Sequence, residues 1–322
     1  MAPPSLDCSS ASFIIGIVEP PKTRDSVSNT SPMAAKRDVL VVANLGLGEK
    51  FLDHGVLYQH GLSETFADVA LVSSEELMSR VDRVDRSRQL ILFLDKDVAL
   101  AELLELQGAV VVNSSRAIEI CDDKRRTYAH LAAAGLRIPK TMMLPPVYPK
   151  QQIAFGLVMS MIDEIGLPMV IKEAKGSFGA QVYLANTAED VFALVDALAD
   201  RHLLAQEFVA SSRGRDLRLQ VVDGVCIAAI ARQHPDDFRA NLSAGGVGYP
   251  YQPSETERRL AEASANAVGG FNVGVDLLFD EGNEGLIVCE VNSNAHIWRL
   301  SAISGIDVTR YVGQALGRWL QQ

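Results

Sequence analysis

The sequence predicts a mixed chain, an α/β unit followed by two α+β units, and three patterns point to it. Short apolar runs alternate with amphipathic stretches from Arg37 to Asn113, as βαβ units on a parallel sheet do. Breaks at Gly135, Pro139 and Gly166-Leu167-Pro168 then interrupt the alternation. Farther on, Asp223-Gly224 joins two apolar runs, a strong two-residue hairpin signal. With 322 residues and 48% hydrophobic content, the chain can bury a core spread over two or three packed units.

Residues 1–35 are rich in Pro, Ser and Thr and hold only the short apolar run Phe13 to Val18. That run is too short to span a bilayer and lacks the basic leader of a secretion signal, so the segment reads as a disordered extension. Residues 36–114 form a Rossmann-like unit: strands Val39 to Ala43, Val69 to Val72, Leu90 to Leu94 and Ala109 to Val112 alternate with helices Glu49 to His60, Ser74 to Val84 and Val98 to Leu106. Gly46 and Gly48 follow its first strand, where a glycine turn can admit a phosphate or substrate; without the rest of a dinucleotide fingerprint such a pair is more often simply a tight turn.

A second unit, 115–200, opens on a helix capped by Asn113-Ser114-Ser115 and running to about Ala134. Next come a helix Ile153 to Ile165, strands Met169 to Glu173 and Gln181 to Ala185 around the loop Lys175-Gly176-Ser177-Phe178-Gly179, and a helix Ala188 to Ala199. The third unit, 201–322, opens at Leu203 with strands Leu204 to Val209, Leu217 to Val222 and Val225 to Arg232. It continues with a helix Glu255 to Val268, strands Val273 to Phe279 and Leu286 to Asn292, and a closing helix Val308 to Leu320.

A net charge of −10 provides no basic footprint for nucleic acid or an anionic membrane, so neither is an expected partner. Cys8, Cys121, Cys226 and Cys289 lie singly, without the spacing of a zinc site or a disulfide framework. They read as reduced thiols in a cytoplasmic protein, with Cys226 and Cys289 as small apolar residues of strands.

The last strand pair carries the most chemistry. If its hairpin centres on Asn283, Asp276 faces Glu290 and Asn292 shares their face. Two carboxylates and an amide among apolar strand residues fit a divalent cation bound through oxygen, and also a solvated strand face. Lys172 ends a strand, and the glycine-containing loop beyond it, with Lys175 and Ser177, could close over phosphates; a surface lysine beside a turn has the same pattern. Glu207-Phe208-Val209 could border a purine or hold a structural salt bridge. Arg232 and Arg239-Ala240-Asn241, ahead of Gly245-Gly246, suit bidentate contact with phosphate or carboxylate, or ordinary surface charge.

In order and spacing these segments resemble the ATP-grasp ligases of the RimK type, ribosomal-protein glutamate ligases, over about Asn113 to Tyr311. The matching segments are Asp122-Asp123-Lys124, Val170 through Val182, Gln206 to Val209, Asp216-Leu217-Arg218, Ala228 to Arg232, Asp237 to Leu242 and Glu290-Val291-Asn292-Ser293. The resemblance implies a Rossmann-like preceding domain and a two-subdomain ATP-grasp fold that sandwiches ATP. It further implies that Lys124 and Lys172 contact ATP phosphates, Glu207, Phe208 and Val209 the adenine and ribose, and Asp216 the nucleotide. Arg239 and Asn241 would reach the phosphates near the reacting centre, and Arg232 the acyl-phosphate. Asp276, Glu290 and Asn292 would hold magnesium, with manganese as the alternative metal.

The implied reaction is ATP-dependent ligation of a carboxylate and an amine, such as the α-amine of glutamate, with Arg232 and Arg239 as catalytic groups. The expected partners are ATP, a carboxylate substrate, an amino-acid or amine substrate and, for the chain itself, a homo-oligomer. The contrasting reading is a regulatory protein that binds ATP in a non-ligating shell. One segment departs from the family: Asn292 is followed by Ser293-Asn294-Ala295-His296-Ile297-Trp298-Arg299 where small residues, a proline and a glycine are usual. His296 would there meet a substrate carboxylate or serve structurally beside Trp298.

Overall fold

The computed structural model divides the chain into Met1–Ala35 and Lys36–Gln322. The residues it describes, 39–79, 90–145, 147, 152–281 and 285–321, all fall in the second part. The expected extension 1–35, the part 80–84 of the helix expected over Ser74 to Val84 and the hairpin centre at Asn283 lie outside the described residues.

Three sheets carry the described chain. The first contains β1 (Val39–Ala43), β2 (Val69–Ser73), β3 (Leu90–Leu94) and β4 (Val110–Val112) in the order β2-β1-β3-β4, all parallel. β1 and β3 are buried along their whole length, as continuous apolar strands covered on both faces are. Helices α1 (Glu49–Leu62), α2 (Ser74–Ser79) and α3 (Val98–Leu106) alternate with these strands, matching the expected strand and helix alternation.

A single helix was expected over 115–134, but the chain forms α4 (Ser115–Asp122) and α5 (Lys124–Ala133). Asp123 leaves helical geometry (φ −104°, ψ 106°), and its side chain accepts from the Arg125 backbone N–H. This break makes Asp123 the N-cap of α5 and Lys124 its first residue.

The second sheet has the order β5-β8-β6-β7, from β5 (Thr141–Met143), β6 (Met169–Glu173), β7 (Val182–Ala185) and β8 (Leu203–Glu207), all antiparallel. Helices α6 (Phe155–Ile165) and α7 (Ala188–Ala197) bury Val158, Met161, Val191 and Val195 against it. The expectation that a third unit opens at Leu203 is thereby corrected. Leu203 through Glu207 pair with Glu173 through Met169, and β8 ends at Glu207, leaving Phe208 and Val209 in the segment that leads away from the sheet.

The third sheet, antiparallel and ordered β11-β10-β9-β12-β13, comprises β9 (Arg215–Val222), β10 (Val225–Gln233), β11 (Val247–Pro250), β12 (Asn272–Asp280) and β13 (Gly285–Asn292). Asp223, at φ 53°, and Gly224, at φ 74°, make the expected two-residue turn between β9 and β10. Helix α8 (Glu255–Val268) and α5 cover one face with Ala261, Ala265, Val268, Tyr128 and Leu131. The short elements β5 and β11 and the helix α9 (Trp298–Ser304) were not anticipated.

The first and third sheets share one apolar core. Val41, Tyr58 and Leu62 pack in the same cluster as Val222 and Ile230, together with Val308, Val312 and Leu316 of the last helix, α10 (Val308–Trp319). Asn113 reinforces the junction beyond β4: its Nδ2 donates to the Asn272 and Ser293 carbonyls, and its Oδ1 accepts from the Phe271 and Asn272 N–H groups, at 2.7–3.0 Å.

Candidate functional site

The twelve residues singled out by sequence converge on two adjoining cavities. All except Asn292 line a slot of about 110 Å³, and Asn292 lines a cavity of about 770 Å³ that shares Ser177, Arg232, Asn241 and Glu290 with the slot.

The second sheet and α5 supply lysines. Lys172, buried near the end of β6, donates to the Tyr128 hydroxyl at 3.2 Å. That hydroxyl also meets the Gln206 side chain at 3.1 Å and donates to the Cys289 carbonyl. Burial opposes the ammonium of Lys172, but Tyr128, Cys289 and Glu290 around it hold its pKa above the ordinary value. Because burial pushes Tyr128 up to about 12 and Cys289 to about 11, Glu290 is the anion among them at neutral pH. Lys124 lies 3.4 Å from Glu290 Oε1 and 3.5 Å from the Gly176 carbonyl.

The third sheet supplies a row of paired charges. Asp216 on β9 stands opposite Arg232 on β10, which grips both its oxygens at 2.6 Å. Arg232 also reaches Asp276 Oδ2 at 3.1 Å. On the other side Asp276 stands opposite Arg218, whose Nη2 donates to Oδ2 at 2.6 Å. Burial raises Asp216, while for Asp276 the two arginines outweigh burial and hold its carboxyl below the ordinary range. Glu290 is likewise lowered: burial works against its charge, but Lys124, Lys172 and Arg218 together outweigh it.

Asp276 and Glu290 face each other across β12 and β13 as expected, although through a register shift between Asp276 and Leu277 rather than a regular hairpin centred on Asn283. Their oxygens and the Asn292 amide are hard donors suited to magnesium or manganese. The Asn292 Nδ2 is buried without a partner, so this amide is uncommitted and can present its oxygen instead. Asp276 already meets two arginines and would share its carboxylate with a metal. Among the described residues, no group of three or more His, Cys, Asp or Glu side chains forms a metal cluster. Two acids and an amide therefore fit a cation that binds phosphate oxygens as well.

Between the sheets lies the glycine loop. Arg239 donates from Nη1 to the Gly179 carbonyl at 2.7 Å and pairs with Asp237. A Cβ on Gly179 (φ 76°) would come within 2.9 Å of Asn241 Oδ1, so the loop and the 239–241 segment touch closely. Ser177 accepts from Lys96 at 3.1 Å, whereas Lys175 is exposed and reaches Asp122 at 3.5 Å. At the far end of the slot, Glu207 accepts from the Lys140 N–H at 2.8 Å, and Phe208 meets Phe238 edge-on at 6.2 Å.

Sequence reasoning quoted Arg218 without giving it a task; its two-residue spacing from Asp216 on one strand would have placed it beside the same acids. It likewise quoted Gln206 without a task, and it missed Tyr128, whose partners lie far away in sequence, and the aromatic lining of the larger cavity. His296 is not beside Trp298 in the sense expected: it stacks on His54 at 4.5 Å, while Trp298 is 64% exposed.

The family model described as RimK-like ATP-grasp domain matches residues 121–316. The uncharacterized protein MG012 homolog of Mycoplasma pneumoniae is 34% identical over 219 residues, covering 66% of this chain and 74% of that protein. A protein named "Probable alpha-L-glutamate ligase" from Enterobacter sp. (strain 638) is 33% identical over 207 residues, covering 63% of this chain and 66% of its own. Among solved structures, D-alanine–D-alanine ligase from Bacillus anthracis complexed with ATP superposes with a TM-score of 0.69 at 15% identity, over 89% of this chain and 99% of that one. Among the described residues no helix is long and apolar enough to cross a membrane.

Proposed function

Because the chain belongs to the RimK-like ATP-grasp family of carboxylate–amine ligases, we propose that it joins the amine of an amino acid, such as glutamate, to a carboxylate on a peptide or small acid. The observation that supports this most is the convergence of Lys124, Lys172, Arg232, Arg239 and Asn241 with the acids Asp276 and Glu290 around one slot. A carboxylate oxygen attacks the γ-phosphorus of ATP, the bond to the β-phosphate oxygen breaks, and ADP leaves. The amine nitrogen then attacks the acyl carbon, phosphate departs, and the amine loses a proton as the amide forms. Bound magnesium would offset phosphate charge, held by Asp276, Glu290 and Asn292.

In this reading no side chain forms a covalent intermediate. Lys124, Lys172 and Arg239 neutralise and orient the phosphates, and Arg232 stabilises charge on the transferring group. Glu207 to Val209 border the adenine and ribose, and Asp216 serves the nucleotide through Arg232. The slot is smaller than the roughly 300–1,000 Å³ of ordinary ligand pockets, so nucleotide entry requires the loop 175–179 to part from Arg239. We place the ligase in a reducing compartment, the cytoplasm, in keeping with its unpaired cysteines Cys121, Cys226 and Cys289.

The test incubates purified protein with ATP, magnesium and mixtures of amino acids, small acids and peptides, with mass detection of products. Ligation requires ADP release that depends on both an acid and an amine, and Glu290→Ala should abolish it with the fold intact. ATP binding without any new amide would favour the regulatory reading, and full activity of Glu290→Ala would remove the metal assignment.

A further inference from the structure

We propose that the organic substrate held in the larger cavity is a carboxylate bearing a flat, uncharged ring, an inference that rests on the ligase reading and specifies one of its substrates. The cavity, about 770 Å³, is of ligand size and opens onto the slot through Glu290, Arg232 and Asn241.

Its wall is a cluster of rings centred on His296. His54 stacks on His296 with centroids 4.5 Å apart and planes at 23°; Phe51 meets it edge-on at 5.2 Å, and Phe178 is tilted against it at 5.6 Å. Phe51 and His54 come from α1, Phe178 from the tip of the glycine loop, and His296 from the segment after β13. Burial holds His54 down to about 3 and His296 to about 4, with Lys50 and Arg218 also acting against His296. At neutral pH the cluster is therefore four uncharged rings. The His54 Nε2 is buried without a hydrogen-bond partner, an uncompensated polar atom inside the ring cluster.

Two cations on the same cavity lack a carboxylate. Lys50 Nζ lies 4.0 Å from the Phe178 centroid and 4.9 Å from that of Phe51, and Arg299 donates to the Leu242 carbonyl. Among the described residues neither makes an ion pair, whereas Lys96, Arg218 and Arg232 all do. Of the lining acids, Glu290 is paired with Lys124, Asp95 accepts from Ser74 and the Lys96 N–H, and Asp53 is exposed.

A carboxylate answers the unpaired cations, and a ring gains stacking and cation–π contact from the cluster. A second carboxylate, as in a glutamate side chain, would lose hydration against uncharged faces. The departure of residues 293–299 from the family pattern is thus where this chain reshapes its substrate cavity, with His296 as its hub.

The test is calorimetric titration of the full chain, with ADP and magnesium chloride present, by L-phenylalanine, L-cyclohexylalanine and L-glutamate. Phenylalanine should bind at least about tenfold more tightly than glutamate, a difference of roughly 1.4 kcal/mol, with cyclohexylalanine between them. Phe178→Ala, at an exposed loop position that spares the core, and Phe51→Ala should each remove most of the preference, while Lys50→Gln should weaken all three. Glutamate binding as tightly as phenylalanine, an unchanged preference in both alanine variants, or no saturable binding of any probe would overturn the inference. The ligase reading fails separately, if phenylalanine is preferred yet no acid and amine together release ADP. Ligation with a glutamate preference would sink the ring inference alone.

Discussion

Arg218 holds Asp276 by both carboxylate oxygens, Nε on Oδ1 and Nη2 on Oδ2. With Arg232 reaching the same acid from the other side, Asp276 is the centre of a buried charge row that ends at Asp216. Cutting the row at Asp276 leaves the Arg218 guanidinium without its carboxylate and Arg232 with Asp216 alone. Asp276→Ala should destabilise the fold by about 3–5 kcal/mol, as removing one member of a buried ion pair does, measured as a shift in the urea midpoint at unchanged slope.

Lys172 offers a contrast, because its ammonium has one neutral oxygen partner, Tyr128. Lys172→Met should remain folded, since a hydrophobic replacement of similar length removes a buried charge together with its desolvation cost. Its effect should fall on the nucleotide. Losing a charge-assisted bond of about 1.5–3 kcal/mol should raise the KM for ATP about ten- to hundredfold, read from initial rates of ADP release.

His54 and His296 predict the acid response. Their folded values, about 3 and about 4, lie below the ordinary 6.5, so between these limits the unfolded chain binds protons that the folded chain refuses. Their stabilising effect is complete above pH 6.5 and declines as pH falls, by up to about 1.4 kcal/mol per unit for each ring. Asp276 and Glu290 are held below their ordinary 3.8 and 4.5, so their contributions are lost only at lower pH. Urea unfolding at pH 6.5 and pH 5 should therefore show a loss on the order of 2–4 kcal/mol, and His54→Leu should roughly halve it.

Asn113 ties the end of β4 to the start of β12 through four hydrogen bonds. Asn113→Ala leaves several buried backbone groups unpaired, and each such group costs about 1–3 kcal/mol. A loss of about 3 kcal/mol or more in unfolding free energy is expected, together with faster amide hydrogen exchange at Phe271 and Asn272.

The strands and most helices were legible because their signals are local. Continuous apolar runs marked β1 and β3, and Asp-Gly marked the turn from β9 to β10. The facing of Asp276 and Glu290 was read from a hairpin centred on Asn283, but the pairs from Leu277–Val288 to Asp280–Gly285 run half a residue off that centre, and a register shift between Asp276 and Leu277, which periodicity does not reveal, restores the facing. What escaped depends on distance: β8 pairs with β6 across an intervening helix, and nothing in Leu203–Glu207 itself names its sheet. The break at Asp123 was hidden because helical stretches flank a single capping residue. The ring cluster draws on α1, the loop 175–179 and the segment after β13, and no periodicity links such remote positions.

The placement of α10 has a consequence for synthesis. Val308, Val312 and Leu316 fill the same core as Val41 and Tyr58 near the beginning of the described chain. During translation, the first sheet must wait for these residues to leave the ribosome, about two hundred residues after its own last strand has emerged. Until then its apolar face is open to chaperones and to neighbouring nascent chains.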